Sequence, residues 1–295
     1  MSAREAPHGG RDVAVTGAAA TPAAAGDRTP LRATTLTVGY GDREVLHGVD
    51  VPLAAGQITA IVGANASGKS TLLRAFARLL KPSGGAVVLD GAEITSLPTR
   101  DVARRLGFLP QSPVPPEGLT VADLVQRGRF PHQRLGRRSS AEDRDRFEWA
   151  LSATGIADLR ERPLDRLSGG QRQRVWIAMA LAQDTPILLL DEPTTYLDLA
   201  HQLEVLDLLA DLNAAGRTIG IVLHDLNHAC RYAHRLVALR DGVVHAAGPP
   251  GEIVDEELVE AVFGLKSRVI PDPVTGTPMC VPIGRTVTRV AGGAP

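Results

Sequence analysis

What this chain lacks narrows its class before any motif is read. Only two cysteines occur in 295 residues, Cys230 and Cys280. A disulfide framework is not built from so few, a reducing cytosol suits them, and Cys230 reads as a small buried hydrophobe. There is no basic excess: Lys and Arg number 32 against 33 Asp and Glu, a formal net charge of -1. A dedicated nucleic-acid binder normally carries such an excess, so nucleic acid is not an expected partner. No long apolar run exists either. The most apolar segment, 177–190, is broken by Gln183, Asp184 and Pro186, whereas a membrane-spanning helix needs roughly 20 mostly apolar residues. The first 30 residues contain no Leu, Ile or Phe. That argues against the hydrophobic stretch of a signal peptide, and the Ala/Gly/Pro/Thr-rich segment 1–30 is expected to be a disordered tail.

What is present has the length and apolar content for a substantial core. Strand-like runs appear at 31–38, 45–53 and 57–62, then a Gly-rich loop, then a helical spacing of Leu72, Leu73, Phe76, Leu79 and Leu80 over 70–80. From about 99 to 165 the pattern becomes helical and charged, as in 121–127 and 141–153. Strand signals return at 187–190, 218–223, 236–239 and 243–245. The order is α/β, helical insertion, α/β. A helical patch at 254–263 precedes a Pro-rich C-terminal tail over 271–295.

Gly63, Ala64, Asn65, Ala66, Ser67, Gly68, Lys69 and Ser70 fit the G-x-x-x-x-G-K-[ST] phosphate loop, with a strand before and a helix after. Backbone N–H groups at a helix start supply donors to a polyphosphate, glycines permit close approach, Lys69 adds charge, and Ser70 offers a hydroxyl to Mg²⁺. ATP and Mg²⁺ are thus the expected cofactors. The apolar run 187–190 ends in Asp191 and Glu192. Neighbouring residues of a strand point to opposite sides, so the two acids are assigned different work. Asp191 is expected on Mg²⁺ through water, and Glu192 on the attacking water as general base. A second anion site is written at Ser168, Gly169, Gly170 and Gln171, where a Ser N-cap and two glycines open a helix. One nucleotide has little need of two such sites, but a head-to-tail homodimer does.

These residues together resemble the nucleotide-binding subunits of ABC transporters. The resemblance is carried by GANASGKST at 63–71, FLPQ ending at Gln111, LSGGQRQR at 167–174, LLLDEPTTYLD at 188–198 and VLHDL around His224. It covers about residues 31–270. It implies an ABC-type P-loop NTPase with a RecA-like core and an antiparallel β subdomain, drawn from about 31–98 and 166–250, and a helical subdomain over about 99–165. It also implies that Tyr40 stacks on adenine, Thr71 belongs to the ATP site, and Gln111 touches Mg²⁺ and water. Asp198 is then the dimer-seam aspartate, and His224 the catalytic histidine at the γ-phosphate. The lesser alternatives are Tyr40 as a simple turn aromatic and Asp198 as a helix cap. The sequence departs from the family at Ala66, where Gly is usual. If that position takes positive φ, alanine costs roughly 1 kcal/mol or more.

A narrower resemblance, to ATPases of bacterial ferric siderophore importers (a group also serving haem and cobalamin), rests on RGRFPHQ at 127–133, the run 222–242 and DPVTGTP at 272–278. It implies integral-membrane permease subunits as partners, a substrate-binding protein met only indirectly, and a peripheral place on the cytoplasmic face of the inner membrane. Haem, cobalamin or metal-ion import is the alternative cargo. A non-transport ATPase of this family fits badly, because the chain has one ATPase unit and no long coiled coil. The basic run Arg127, Arg129, His132, Arg134, Arg137 and Arg138 reads as a solvated face or loop, or as a contact with the permease or with anionic lipid headgroups.

Overall fold

The computed structural model describes residues 29–111, 117–133 and 140–284. The tail expected over 1–30 lies outside these but for its last two residues. Apolar-polar alternation produces a hairpin, β1 (Leu31–Tyr40) with β2 (Arg43–Leu53), paired from Leu31↔Leu53 to Tyr40↔Arg43. A register irregularity at Thr35, φ 41, keeps Leu36 and Val38 on the buried face with Leu31 and Ala33. Next comes β3 (Ile58–Val62), buried throughout, and α1 (Lys69–Phe76). β4 (Gly84–Leu89) returns to β1, and β5 (Ala92–Glu93) completes an antiparallel sheet ordered β2-β1-β4-β5. The helix expected to reach residue 80 stops at Phe76. Arg78 takes φ 59 and its Nη1 donates to the Leu97 carbonyl at 2.7 Å, so Leu79 faces solvent instead of joining the buried stripe.

The helical subdomain expected over about 99–165 begins later than the charge pattern suggested. α2 (Thr99–Arg105) leads directly into β6 (Leu106–Leu109), which lies in the parallel sheet beside β7 (Ile187–Asp191). Four residues, one of them glycine, give too little periodicity to mark a strand. Beyond it, α3 (Val121–Arg127) and α4 (Ala141–Ala153) pack on α5 (Gly169–Ala182). Contact between α3 and α5 is close: a Cβ at Gly128 would lie 2.3 Å from the Met179 carbonyl oxygen. Two members of the basic run are held by the protein rather than free on a solvated face. Arg129 is buried, its Nε pairing with Asp143 at 2.9 Å and its Nη1 donating to the Ala182 carbonyl at 2.8 Å. His132 Nε2 is 2.7 Å from the Gln183 carbonyl oxygen. Both tie the helical segment to the end of α5. Arg134, Arg137 and Arg138 lie outside the described residues.

α6 (Leu199–Ala214), β8 (Thr218–Val222), α7 (Leu226–Tyr232), β9 (Arg235–Arg240) and β10 (Val243–Gly248) complete the main sheet, ordered β10-β9-β3-β8-β7-β6. Every neighbouring pair from β9 to β6 is parallel, and β10 joins antiparallel. Both faces of this sheet are covered, which explains its unbroken apolar runs. Leu188 and Leu190 enter one core with α5 and α6; Ile187 and Leu189 enter a second with α1 and the antiparallel sheet. α8 (Pro250–Ile253) and α9 (Glu256–Phe263) follow. The stretch read as a Pro-rich tail from 271 is described as far as Gly284 and carries strand structure. β11 (Ser267–Pro271) and β12 (Pro278–Pro282) form an antiparallel hairpin against α7. Cys230 and Cys280 are free and buried, and burial pushes the Cys230 thiol up to about 12, leaving it an inert core side chain.

Candidate active site

Four parallel strands each release one chemical element at their carboxyl ends, where open α/β sheets gather ligands. β3 releases the loop 63–70, β6 leads to Gln111, β7 ends in Asp191 and Glu192, and β8 leads to His224. Tyr40, residues 65–71, Gln111, Glu192 and His224 line a cavity of about 860 Å³, and Asp191 is buried beneath it, bonded to Ser70.

The loop is a cradle of fixed shape. Gly63 takes φ 150, and a Cβ there would lie 2.2 Å from the Leu239 carbonyl oxygen, so only glycine fits. Gly68 at φ 102 starts α1. Ala66 stands at φ 64, the left-handed region that glycine favours. Ala64, Asn65 and Ala66 form the exposed rim, while Ser67, Gly68, Lys69 and Thr71 are buried. Lys69 Nζ donates to the carbonyls of Gly63 at 2.9 Å and Ala64 at 2.8 Å. Burial lowers its pKa, against the opposing pull of Glu192 and Asp191. At the mouth, the half-exposed Tyr40 accepts a hydrogen bond from Arg74 Nη1 at 3.1 Å, leaving much of its ring open to the cavity.

The two acids make separate contacts, though not through strand pleating. β7 ends at Asp191, and Glu192 turns away with φ 55. Asp191 Oδ1 accepts from Ser70 Oγ at 2.9 Å, while Asp191 Oδ2 is buried with no hydrogen-bond partner. Burial raises the Asp191 pKa, the Ser70 hydroxyl opposes this, and the Glu192 carboxylate adds to it. A partnerless buried carboxylate oxygen beside a hydroxyl, with Gln111 on the same cavity, is an oxygen donor set that fits Mg²⁺. Glu192, 5% exposed, is held at both oxygens. Gln111 Nε2 donates to Oε2 at 2.6 Å and His224 Nε2 lies 2.6 Å from Oε1. Thr195 Oγ1 adds a longer contact to Oε2 at 3.4 Å. A carboxylate clamped at both oxygens, facing a phosphate cradle, is arranged to orient a water.

Ser168, Gly169, Gly170 and Gln171 do not join this cavity. They line a second cleft of about 510 Å³ with Tyr196, Asp198 and His201. Ser168 Oγ accepts from the Gln171 amide at 3.2 Å and Gln171 Oε1 accepts from the Ser168 amide at 3.1 Å, a reciprocal cap on α5. Asp198 caps α6, accepting from the His201 amide at 3.0 Å and meeting the His201 ring at 2.7 Å. Several participants were not found from the sequence. Arg43, Glu44 and His47 of β2 line the first cavity, Thr195 supports Glu192, and His201 meets Asp198. The β2 residues reach the cavity through tertiary folding, for which no local motif exists, whereas Thr195 and His201 each lie three residues from the acid they contact.

Comparison with known proteins is consistent in kind. The family model described as "ABC transporter" matches residues 46–195. The achromobactin transport ATP-binding protein CbrD of Dickeya dadantii (strain 3937) is 53% identical over 258 residues, 87% of this chain and 96% of that protein. The ferric enterobactin transport ATP-binding protein FepC of Escherichia coli (strain K12) is 52% identical over 262 residues, 88% of this chain and 97% of that protein. Among solved structures, the dimeric ATP-binding cassette MJ0796 in a post-hydrolysis state with ADP and Pi superposes with a TM-score of 0.66 at 31% identity. It covers 74% of this chain and 98% of that one.

Proposed function

This chain belongs to the ABC transporter family, and from that premise we propose that it powers the import of ferric siderophores across the cytoplasmic membrane. It is an ATP-binding, ATP-hydrolysing subunit. The observation that carries the catalytic reading is Glu192 clamped between Gln111 and His224 at 2.6 Å each. On this reading Lys69 and the loop amides bind the β- and γ-phosphates, and Tyr40 stacks on the adenine. Ser70, Asp191 and Gln111 would hold Mg²⁺, which neutralises phosphate charge and orients the phosphoryl oxygens when bound. Glu192 takes the proton of the attacking water, and His224 fixes the Glu192 carboxylate and faces the γ-phosphate. Two copies close head to tail, so that Ser168, Gly169 and Gly170 of one reach the nucleotide of the other, with Gln171 and Asp198 at the seam. The catalysis is positioning plus electrostatics.

The siderophore assignment draws on the names of CbrD and FepC. No helix among the described residues is long and apolar enough to cross a membrane. On this reading permease subunits carry the cargo across, with this chain peripheral on their cytoplasmic side and a binding protein delivering cargo from the other. The test is uptake of radiolabelled iron on a panel of siderophores, in cells deleted for this protein and complemented with wild type or Glu192→Gln. Uptake is expected only with wild type. Normal uptake in the deletion strain removes iron-siderophore as the cargo, and haem and cobalamin are then tried.

A further inference from the structure

The C-terminal hairpin touches the chain immediately after His224. α7 begins at Leu226, two residues beyond that histidine, and has only seven residues. A helix so short has little stability of its own, so its position is set by what it packs on. Asp225 starts it, accepting from the amides of Asn227 at 2.7 Å and His228 at 3.0 Å. Asn227 and Arg231, one turn apart on one face, then grip the hairpin. The Asn227 carboxamide pairs with both backbone groups of Cys280 on β12. Its Oδ1 accepts from the amide at 2.7 Å and its Nδ2 donates to the carbonyl at 3.2 Å. The side chain thus stands in for the peptide of a neighbouring strand. Arg231 Nη2 donates to Asp272 Oδ2 at 2.7 Å.

Asp272 opens the DPVTGTP segment and serves both sides of the junction. Its Oδ1 accepts from the amides of Val274 at 2.8 Å and Thr275 at 3.2 Å, fixing the turn, while Oδ2 faces α7. The carboxylate is buried. By contrast the His224 side chain is half exposed, and its Nε2 meets Glu192. Its placement depends on the backbone on either side: β8 in the sheet before it, and α7 after it.

We propose that the β11–β12 hairpin is a strut that positions His224 for reaction, with Asn227 and Asp272 as its positioning residues. This rests on the assignment of His224 to the reaction made above. Neither residue lines the nucleotide cavity, so loosening the strut lowers turnover and leaves ATP binding alone.

The experiment uses the full-length chain, single-turnover ATP hydrolysis, the KM for ATP, and thermal unfolding. Asn227→Ala and Asp272→Asn are each made in the wild-type and His224→Ala backgrounds. Asp272→Asn keeps an oxygen for the turn and loses the ion pair, so it serves if Asn227→Ala folds poorly. In the wild-type background turnover is expected to fall about 10-fold, the loss typical of a modest misplacement of a reacting group, with KM changed less than about two-fold. In the His224→Ala background the same substitutions are expected to bring no further loss, because the group they position is gone. Equal losses in both backgrounds would mean a general structural role and overturn the proposal. Wild-type turnover in both hairpin variants, with His224→Ala slow, overturns the strut alone. Wild-type turnover in His224→Ala itself removes the assignment of His224 and the strut with it.

Discussion

Ala66 shows what one methyl group does at φ 64. A Cβ in the left-handed region crowds its own backbone, and the loop carries that strain at its exposed rim. Ala66→Gly is expected to raise stability by roughly 0.5–1 kcal/mol, a rise in Tm of about 1–3 °C, and to leave turnover close to wild type. Differential scanning calorimetry reads it, and an unchanged or lower Tm refutes the strain. The phosphate loop was legible from the sequence because its donors are contiguous. Glu192 was legible by type and place but not by geometry. Its direction follows from its φ of 55 at the strand end, which no alternation rule supplies.

Among the elements, α3, α4 and α5 meet at one buried ion pair. Asp143 Oδ2 accepts from the Ser140 amide at 3.0 Å and hydroxyl at 2.9 Å, while its Oδ1 holds Arg129. Burial pushes the Asp143 carboxyl up, but the Ser140 amide and the Arg129 guanidinium outweigh this and hold it below the usual range. Asp143→Asn leaves Arg129 buried without its counter-charge, a loss of about 3 kcal/mol. A depressed carboxyl stabilises the fold above its unfolded pKa, and that stability is lost as pH falls through the folded value. The Tm gap between wild type and Asp143→Asn should therefore be full at about pH 6–7 and narrow below about pH 4. A gap independent of pH would exclude the charge as its source. The sequence hid this pair because an arginine in a basic run looks solvated, and its partner lies 14 residues away. The C-terminal hairpin was hidden for a related reason. Prolines at 271, 273 and 278 read as strand breakers, whereas Pro271 and Pro278 sit at the ends of the two strands.

At the scale of the whole molecule, the phosphate cradle and the capped start of α5 open into separate clefts of one chain. Neither cleft alone brings both sets of donors together, which is the ground for the proposed head-to-tail pair. Glu192→Gln, able to bind ATP but slow to cleave it, is expected to run at twice the monomer mass in size-exclusion chromatography with ATP and Mg²⁺, and as a monomer without them. A variant that binds ATP and stays monomeric contradicts the head-to-tail arrangement. Both glycine-bearing segments were legible as separate motifs, and the structure places them in separate clefts. The depth of the β2 contribution was not.

The strand order itself gives the site an uneven stiffness. β3, β7 and β8, which lead to the loop, the acids and His224, each have a partner strand on both sides; β6 stands at the sheet's edge, seamed to β7 alone. Bending an inner strand distorts two ladders of hydrogen bonds, and bending β6 distorts one. Gln111 therefore rides on the most compliant support in the site, and it is also the residue from which the chain departs toward the helical segment. A load applied to those helices is therefore expected to change first one length, the 2.6 Å between Gln111 and Glu192, as a strain gauge reads the end of a flexible beam.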